Sequence, residues 1–308
     1  MAKFRILSMD GGGIRGIITV VFLQRLSREP GLEGWLDRVN LLAGTSTGGL
    51  IALGLAAGKS LESIRAIYET DASKIFETSV WHEITHLGNI FGAKYDIENL
   101  EEVLKTFLGE GTTLGSLAKL VLITSFDLDG TLRGVGRTWK PKLFHNFGGG
   151  DSDVAELAWK VGLYTSAAPT YFQPVDGFVD GGIYASNPSM CALAQSQDSR
   201  FEERAPIEDV VLLSLGTGTS RDFIRPQQPD WGAAQWIKPL ISIMLDGVAG
   251  IADYECDKIL NERYQRLSPP FPGDTSIEMD AIDQIPYMVH FAEQQDVSEI
   301  ADWIRKWW

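Results

Sequence analysis

Val39-Asn40-Leu41-Leu42-Ala43-Gly44-Thr45-Ser46-Thr47-Gly48-Gly49-Leu50-Ile51-Ala52-Leu53-Gly54-Leu55-Ala56-Ala57-Gly58 runs for 20 residues without a charge. A membrane-spanning helix needs a continuous apolar run of that length. Here Asn40, the Thr45-Ser46-Thr47 triplet and five glycines interrupt it. The stretch therefore reads as a short buried strand at 41–43, a sharp turn, and an apolar helix at 48–57 stopped by Gly58. This strand–turn–helix unit belongs to a soluble α/β protein.

The same alternation extends outward. An apolar run at 4–9 ends at Asp10-Gly11-Gly12-Gly13, and helical spacing follows at 16–26. Amphipathic helices are expected at 61–68 and 97–108, a helix at 155–164, and buried strands at 119–126 and 210–215. Asp127-Leu128-Asp129-Gly130 reads as a hairpin turn and Gly148-Gly149-Gly150 as a loop. Residues 71–95 show no clear period and read as a lid or mobile loop. The stretch 221–230 reads as a loop leading into a mainly helical part at 220–308. Strands alternating with helices imply a largely parallel sheet covered on both faces. No linker divides the chain, so a single domain over 1–308 is expected.

Of the 308 residues, 27 are Lys or Arg and 41 are Asp or Glu, a formal charge of −14. With 44% hydrophobic and 22% charged residues the composition is globular, which excludes disorder. The acidic balance excludes a nucleic-acid partner and speaks against simple electrostatic docking on an anionic bilayer. Two cysteines, Cys191 and Cys256, are too few for a disulfide framework or a Cys-rich zinc site. Without a recognisable targeting segment, a cytoplasmic location is expected.

Gly44-Thr45-Ser46-Thr47-Gly48 fits G-x-S-x-G between an apolar strand and an apolar helix, the context of a nucleophile elbow. Its alternative is a tight turn around a buried structural serine. The four histidines, His82, His86, His145 and His290, include none placed as a base after a strand. Asp180 closes the run Phe178-Val179 and precedes Gly181-Gly182; a desolvated carboxylate there could take the serine proton directly. A turn-capping aspartate is the plainer alternative. Consecutive glycines at 11–13 expose backbone N–H groups in an anion-binding nest suited to an oxyanion. Arg15 stands beside that nest, or else is a solvated arginine at a helix start. Read as G-x-G-x-x-G, residues 11–16 would bind a dinucleotide, but Asp37 precedes the second strand where that fingerprint needs an acid at its end.

Together, DGGGIRG at 10–16, GTSTGG at 44–49 and DGG at 180–182 resemble the patatin-like phospholipases. The likeness continues through Tyr95-Asp96, 122–127, Thr165-Ser166-Ala167-Ala168-Pro169 and 213–218, in order from about Ile6 to Thr219. The resemblance implies a three-layer α/β/α sandwich with a mainly parallel sheet and a Ser–Asp dyad without histidine. By position Ser46 is its nucleophile and Asp180 its base. Gly11, Gly12 and Gly13 supply oxyanion N–H groups with Arg15 adjacent, and Gly44, Gly48, Gly181 and Gly182 are motif glycines. It implies hydrolysis of fatty-acyl esters of membrane phospholipids or related lipids, with no metal or cofactor. A transient membrane-surface contact, a homo-oligomer, and a membrane-degrading effector switched on by a small ligand stay open.

A rival lies in His82-Glu83-Ile84-Thr85-His86, which spells the zinc-peptidase pattern H-E-x-x-H. Gly88 curtails any helix there, and no third histidine follows at the expected spacing. Trp303, Ile304, Trp307 and Trp308 form a helically spaced aromatic edge, suited to a lipid interface or to packing on the domain. Tyr171 and Phe172 are candidates to line an acyl pocket or the core.

Overall fold

The computed structural model describes residues 3–76, 93–202, 204–224 and 232–308, with the backbone alone for 233–235, 237–239 and 241. Among the described residues seven strands form one sheet: β1 (Phe4–Met9), β2 (Leu41–Thr45), β3 (Leu120–Leu132), β4 (Gly136–His145), β5 (Phe178–Asp180), β6 (Val210–Leu215) and β7 (Tyr264–Leu267). The order is β4-β3-β2-β1-β6-β7, with β5 pairing β3. β1 is parallel to β2 and β6, β2 to β3, and β6 to β7; β4 and β5 run antiparallel to β3.

The period-2 alternation of the strands divides the core. Leu7, Met9, Leu42, Ile123, Leu213 and Leu215 face one cluster, packed under α1 (Gly16–Arg28), α2 (Thr47–Ala56) and the helices α5 (Ile97–Leu108) and α6 (Ala158–Ser166). Ile6, Leu41, Ala43, Leu122, Val210 and Leu212 face the other, with Ala192 and Leu193 of α8 (Ser189–Ser196) and Cys256 and Leu260 of α9 (Ala233–Leu260). Helices thus cover both faces of a mostly parallel sheet, the α/β architecture expected.

Several local expectations change. Leu61–Ala66 (α3) gives way to a π-helical turn over Ile67–Asp71, and helix resumes over Ala72–Ile75 (α4), inside the segment read as irregular. Residues 77–92 of that segment, with His82, Glu83 and His86, lie outside the described residues. Asp127 to Gly130 is no hairpin turn but a register shift within β3, where the Asp127 carboxylate accepts the Asp129 N–H at 3.0 Å. The bend is local and the strand continues to Leu132. α6 begins at Ala158, three residues later than its spacing suggested. The C-terminal part is not purely helical: β7 extends the sheet beyond β6, and its four residues carry too short an alternation to read as a strand.

The C-terminal tryptophan edge packs inward. Trp308 is buried against Trp35, with ring centroids 5.8 Å apart, and its indole N–H donates to the Trp35 carbonyl at 3.2 Å. Trp303 donates to the Glu262 carbonyl at 2.8 Å. A helix this amphipathic, α11 (Ser298–Trp307), docks its apolar face on the body of the molecule, with α10 (Ile285–Gln294) against α1 beside it.

Candidate active site

The site forms where β1 and β2 end. Ser46 joins β2 to α2 with φ 53 and ψ −125, a left-handed conformation that a non-glycine residue holds only under constraint. The constraint is steric closeness. A Cβ at Gly44 would collide with the Gly48 carbonyl, and one at Gly48 with the carbonyls of Met9 and Asp10. These two glycines let α2 press onto the strand ends, and the chain can turn only at Ser46. The Ser46 N–H donates to the Thr165 hydroxyl at 2.8 Å, which fixes the turn from α6.

Sheet register brings Asp180 to Ser46. On one side of β3, β2 pairs as far as Thr45 opposite Thr124. β5 then takes over with Asp180 opposite Ser125. Asp180 therefore follows Thr45 along the same edge of β3, where the chain of β2 turns into Ser46. Its backbone N–H donates to the Ala167 carbonyl at 3.0 Å, and its Oδ1 accepts the Gly182 N–H at 2.7 Å. Burial pushes the carboxyl up to about 6; hydrogen bonds from the Ser46 side chain and the Gly182 N–H hold it from rising further. A Cβ at Gly181 would strike Thr124, so the Asp-Gly turn needs its glycine for space. The Asp180 carboxylate thus caps its own Asp-Gly turn and also accepts from the Ser46 side chain.

The glycine nest lies across from this pair. The Asp10 N–H donates to the Leu215 carbonyl at 3.0 Å, the Gly11 N–H to Ser186 at 2.9 Å, and the Ile14 N–H to Met279 at 2.8 Å. Gly11 is therefore already engaged, which corrects its expected role as an oxyanion donor. Gly12 (φ 155) and Gly13 (φ 57) have no N–H partner among the described residues. Arg15 is half-buried, with its Nε 3.4 Å from the Gly12 carbonyl, and burial lowers its proton affinity against the opposing pull of Asp246. It is not a solvated surface arginine.

Two chambers meet at Ser46, sharing Ala168 and Met279. One is mixed in polarity and holds Asp180, Gly12, Arg15, Thr217 and Arg266. The other is almost wholly apolar, between Leu50, Ile67, Ile75, Phe76, Tyr171 and Phe172. Tyr171 and Phe172 thus line a pocket beside the serine. No histidine among the described residues lines either chamber: His145 is buried at the end of β4 between Phe147 and Phe201, and His290 lies on α10.

The motif readings missed the residues that hold this arrangement from a distance. Arg266 of β7 forks the Asp10 carboxylate at 3.2 and 2.5 Å and donates to Ser214 at 2.6 Å. Met279 caps the nest, and its neighbour Asp280 accepts from Tyr95 at 2.6 Å and from Lys94. Neither had a local signal.

The model of the patatin-like phospholipase family matches residues 7–193. The chain belongs to that family. Over its full length this patatin-like chain is 26% identical to a putative sporulation hydrolase, CotR, of Bacillus subtilis (strain 168), covering 99% of that protein. It is 34% identical to a cGAMP-activated phospholipase of Vibrio cholerae over 70% of this chain and 64% of the relative. It is 27% identical to the 85/88 kDa calcium-independent phospholipase A2 of Mus musculus over 89% of this chain and 36% of the relative. Membership supports a lipid acyl hydrolase. No helix among the described residues is long and apolar enough to cross a membrane, and none of their His, Cys, Asp and Glu side chains cluster as a metal site.

Proposed function

We propose that the protein is a serine hydrolase of phospholipase A type, cleaving fatty-acyl esters of phospholipids with a Ser46–Asp180 dyad. The observation that carries this reading is the contact between a strained, buried serine and a buried carboxyl with raised proton affinity. Asp180 takes the hydroxyl proton as Ser46 Oγ attacks the ester carbonyl. The oxyanion gathers at the free N–H groups of Gly12 and Gly13, with Arg15 beside them. Collapse expels the lysolipid alkoxide, which takes the proton held by Asp180. Water, deprotonated by the same carboxylate, then attacks the acyl-serine; the Ser46 oxygen leaves, taking that proton back from Asp180, and the fatty acid is released. The apolar chamber takes the acyl chain and the mixed chamber the head group. The protein acts on lipid from the aqueous side of the membrane.

Ser46→Ala should lower kcat by about 10⁴-fold or more, and Asp180→Asn by about 10³-fold or more, with folding kept. A fluorophosphonate probe should label the parent and not Ser46→Ala; labelling that persists in Ser46→Ala refutes the assignment. Chelators should leave turnover intact, whereas a zinc peptidase at His82 and His86 would lose it. The likeness to a cGAMP-activated relative favours a second reading, in which a small cyclic dinucleotide switches the same chemistry on. Turnover that appears only after cGAMP is added would establish it.

A further inference from the structure

We propose that the β3–β4 hairpin is a docking finger for an anionic bilayer. It rests on the lipid-hydrolysis reading for its choice of partner. β3 is parallel to β2 and runs on past Thr124, which pairs with the residue before Ser46. From Thr124 to Leu132 it extends by about 25 Å, so the hairpin leaves the sheet at the end that carries the candidate dyad. Beyond Leu128, Gly130–Leu132 pairs only with Gly136–Thr138 among the described residues.

The tip is apolar and exposed where a soluble protein gains nothing from it. Trp139 is 71% exposed and Val135 67%, with Leu132 and Leu128 also open. Arg133, Arg137 and Lys140 stand around them; Lys142, nearer the base of β4, is ion-paired with Asp153, and Asp127 lies opposite Lys140. Asp129, level with Trp139 on the paired strand, is ion-paired with Arg137. Four cations against two acids over 125–142, on a chain of net charge −14, make this hairpin a local reversal of charge. It also answers the composition argument against anionic membranes, because that argument averages over the chain. Apolar side chains ringed by Lys and Arg suit the interface of a bilayer containing anionic lipid. Nucleic acid would leave Val135 and Leu132 without a partner. The acidic body is repelled by the same surface, so the molecule is held tip-down, and the exposed Ile243 and Met244 of α9, whose Leu245 walls the mixed chamber, lie at the same end.

The test uses Ser46→Ala protein, so that vesicles survive, in flotation with phosphatidylcholine vesicles with and without phosphatidylglycerol. Flotation should require phosphatidylglycerol and weaken with salt. Val135→Glu with Trp139→Glu should cut it by about tenfold or more. Arg133→Gln and Arg137→Gln should each cut it by about fivefold. In the Ser46 background these variants should lose vesicle turnover and keep turnover of p-nitrophenyl butyrate. Flotation without turnover of either ester would sink the hydrolase reading and leave this one standing. Variants that float like the parent, equal flotation on phosphatidylcholine alone, or a parent that does not float but forms a dimer broken by Val135→Glu would overturn it.

Discussion

Replacing Asp180 by Asn should remove activity and at the same time stabilise the protein, by an amount that grows with pH. The native carboxyl holds its proton up to about 6, against an ordinary 3.8. Between those values the folded state binds a proton that the unfolded chain has released, so folding stability falls as pH rises through this window. At about 1.4 kcal/mol per pH unit the full penalty is about 3 kcal/mol. Asparagine is uncharged, can accept the Gly182 N–H as the carboxylate does, and carries no such penalty. Urea unfolding followed by tryptophan fluorescence, on both proteins at matched pH, isolates the effect because every other group cancels in the difference. From pH 5 to pH 8 the advantage of Asp180→Asn should grow by about 1.4 kcal/mol, most of it gained below pH 7. A difference that stays flat across this range would show that no buried carboxyl titrates there, and the proposed base would fall with it.

Turnover of a soluble ester should rise with pH through about 6 and then level, because the carboxyl must be ionised to accept the serine proton; a stopped-flow or pH-stat profile checks this. Gly48→Ala should cost about 3 kcal/mol in urea unfolding, since the new Cβ meets the backbone of Met9 and Asp10 and neither can yield. Ala72→Leu narrows the apolar chamber, so kcat/KM for long-chain esters should fall about tenfold relative to butyryl esters, read from competing substrates by mass spectrometry.

The strands that flank the site were legible because each is an apolar run closed by glycine: 4–9, 41–43 and 210–215 lie in the sheet as read. The residues of the proposed dyad were legible for the same reason, since a sharp turn at a strand end leaves a mark in composition. What failed was anything decided by pairing at long range. The Asp-Leu-Asp-Gly stretch has turn chemistry, and its Asx hydrogen bond does form, yet pairing with β4 on both sides of it carries β3 through with a shift of register. β7 is invisible as a strand because its partner, β6, supplies the reason for it to be one. Gly11 looked equivalent to Gly12 and Gly13, and only the fold assigns its N–H to Ser186. Arg266 reaches Asp10 across 256 residues of chain, a distance over which no spacing rule operates.

The puzzle of a nucleophile elbow without a placed histidine has a thermodynamic answer. A solvated aspartate, at 3.8, is a poor acceptor for a hydroxyl proton, and a free imidazole, at 6.5, is a far better one. Burial at the end of β5 lifts Asp180 to about 6, nearly all of that gap. The two hydrogen bonds that pull the other way are instructive, because one comes from Ser46 itself. In the proposed mechanism, as the serine proton moves, that bond is not lost but inverted, with the acid now donating to the oxygen it once accepted from. The backbone bond from Gly182 continues to hold the other half of the carboxylate in place. A buried carboxyl kept short of full neutrality by one fixed donor and by the serine hydroxyl is the group that takes the place of imidazole in the proposed dyad. The requirement is that the sheet hold it there, and the handover from β2 to β5 along one edge of β3 meets it.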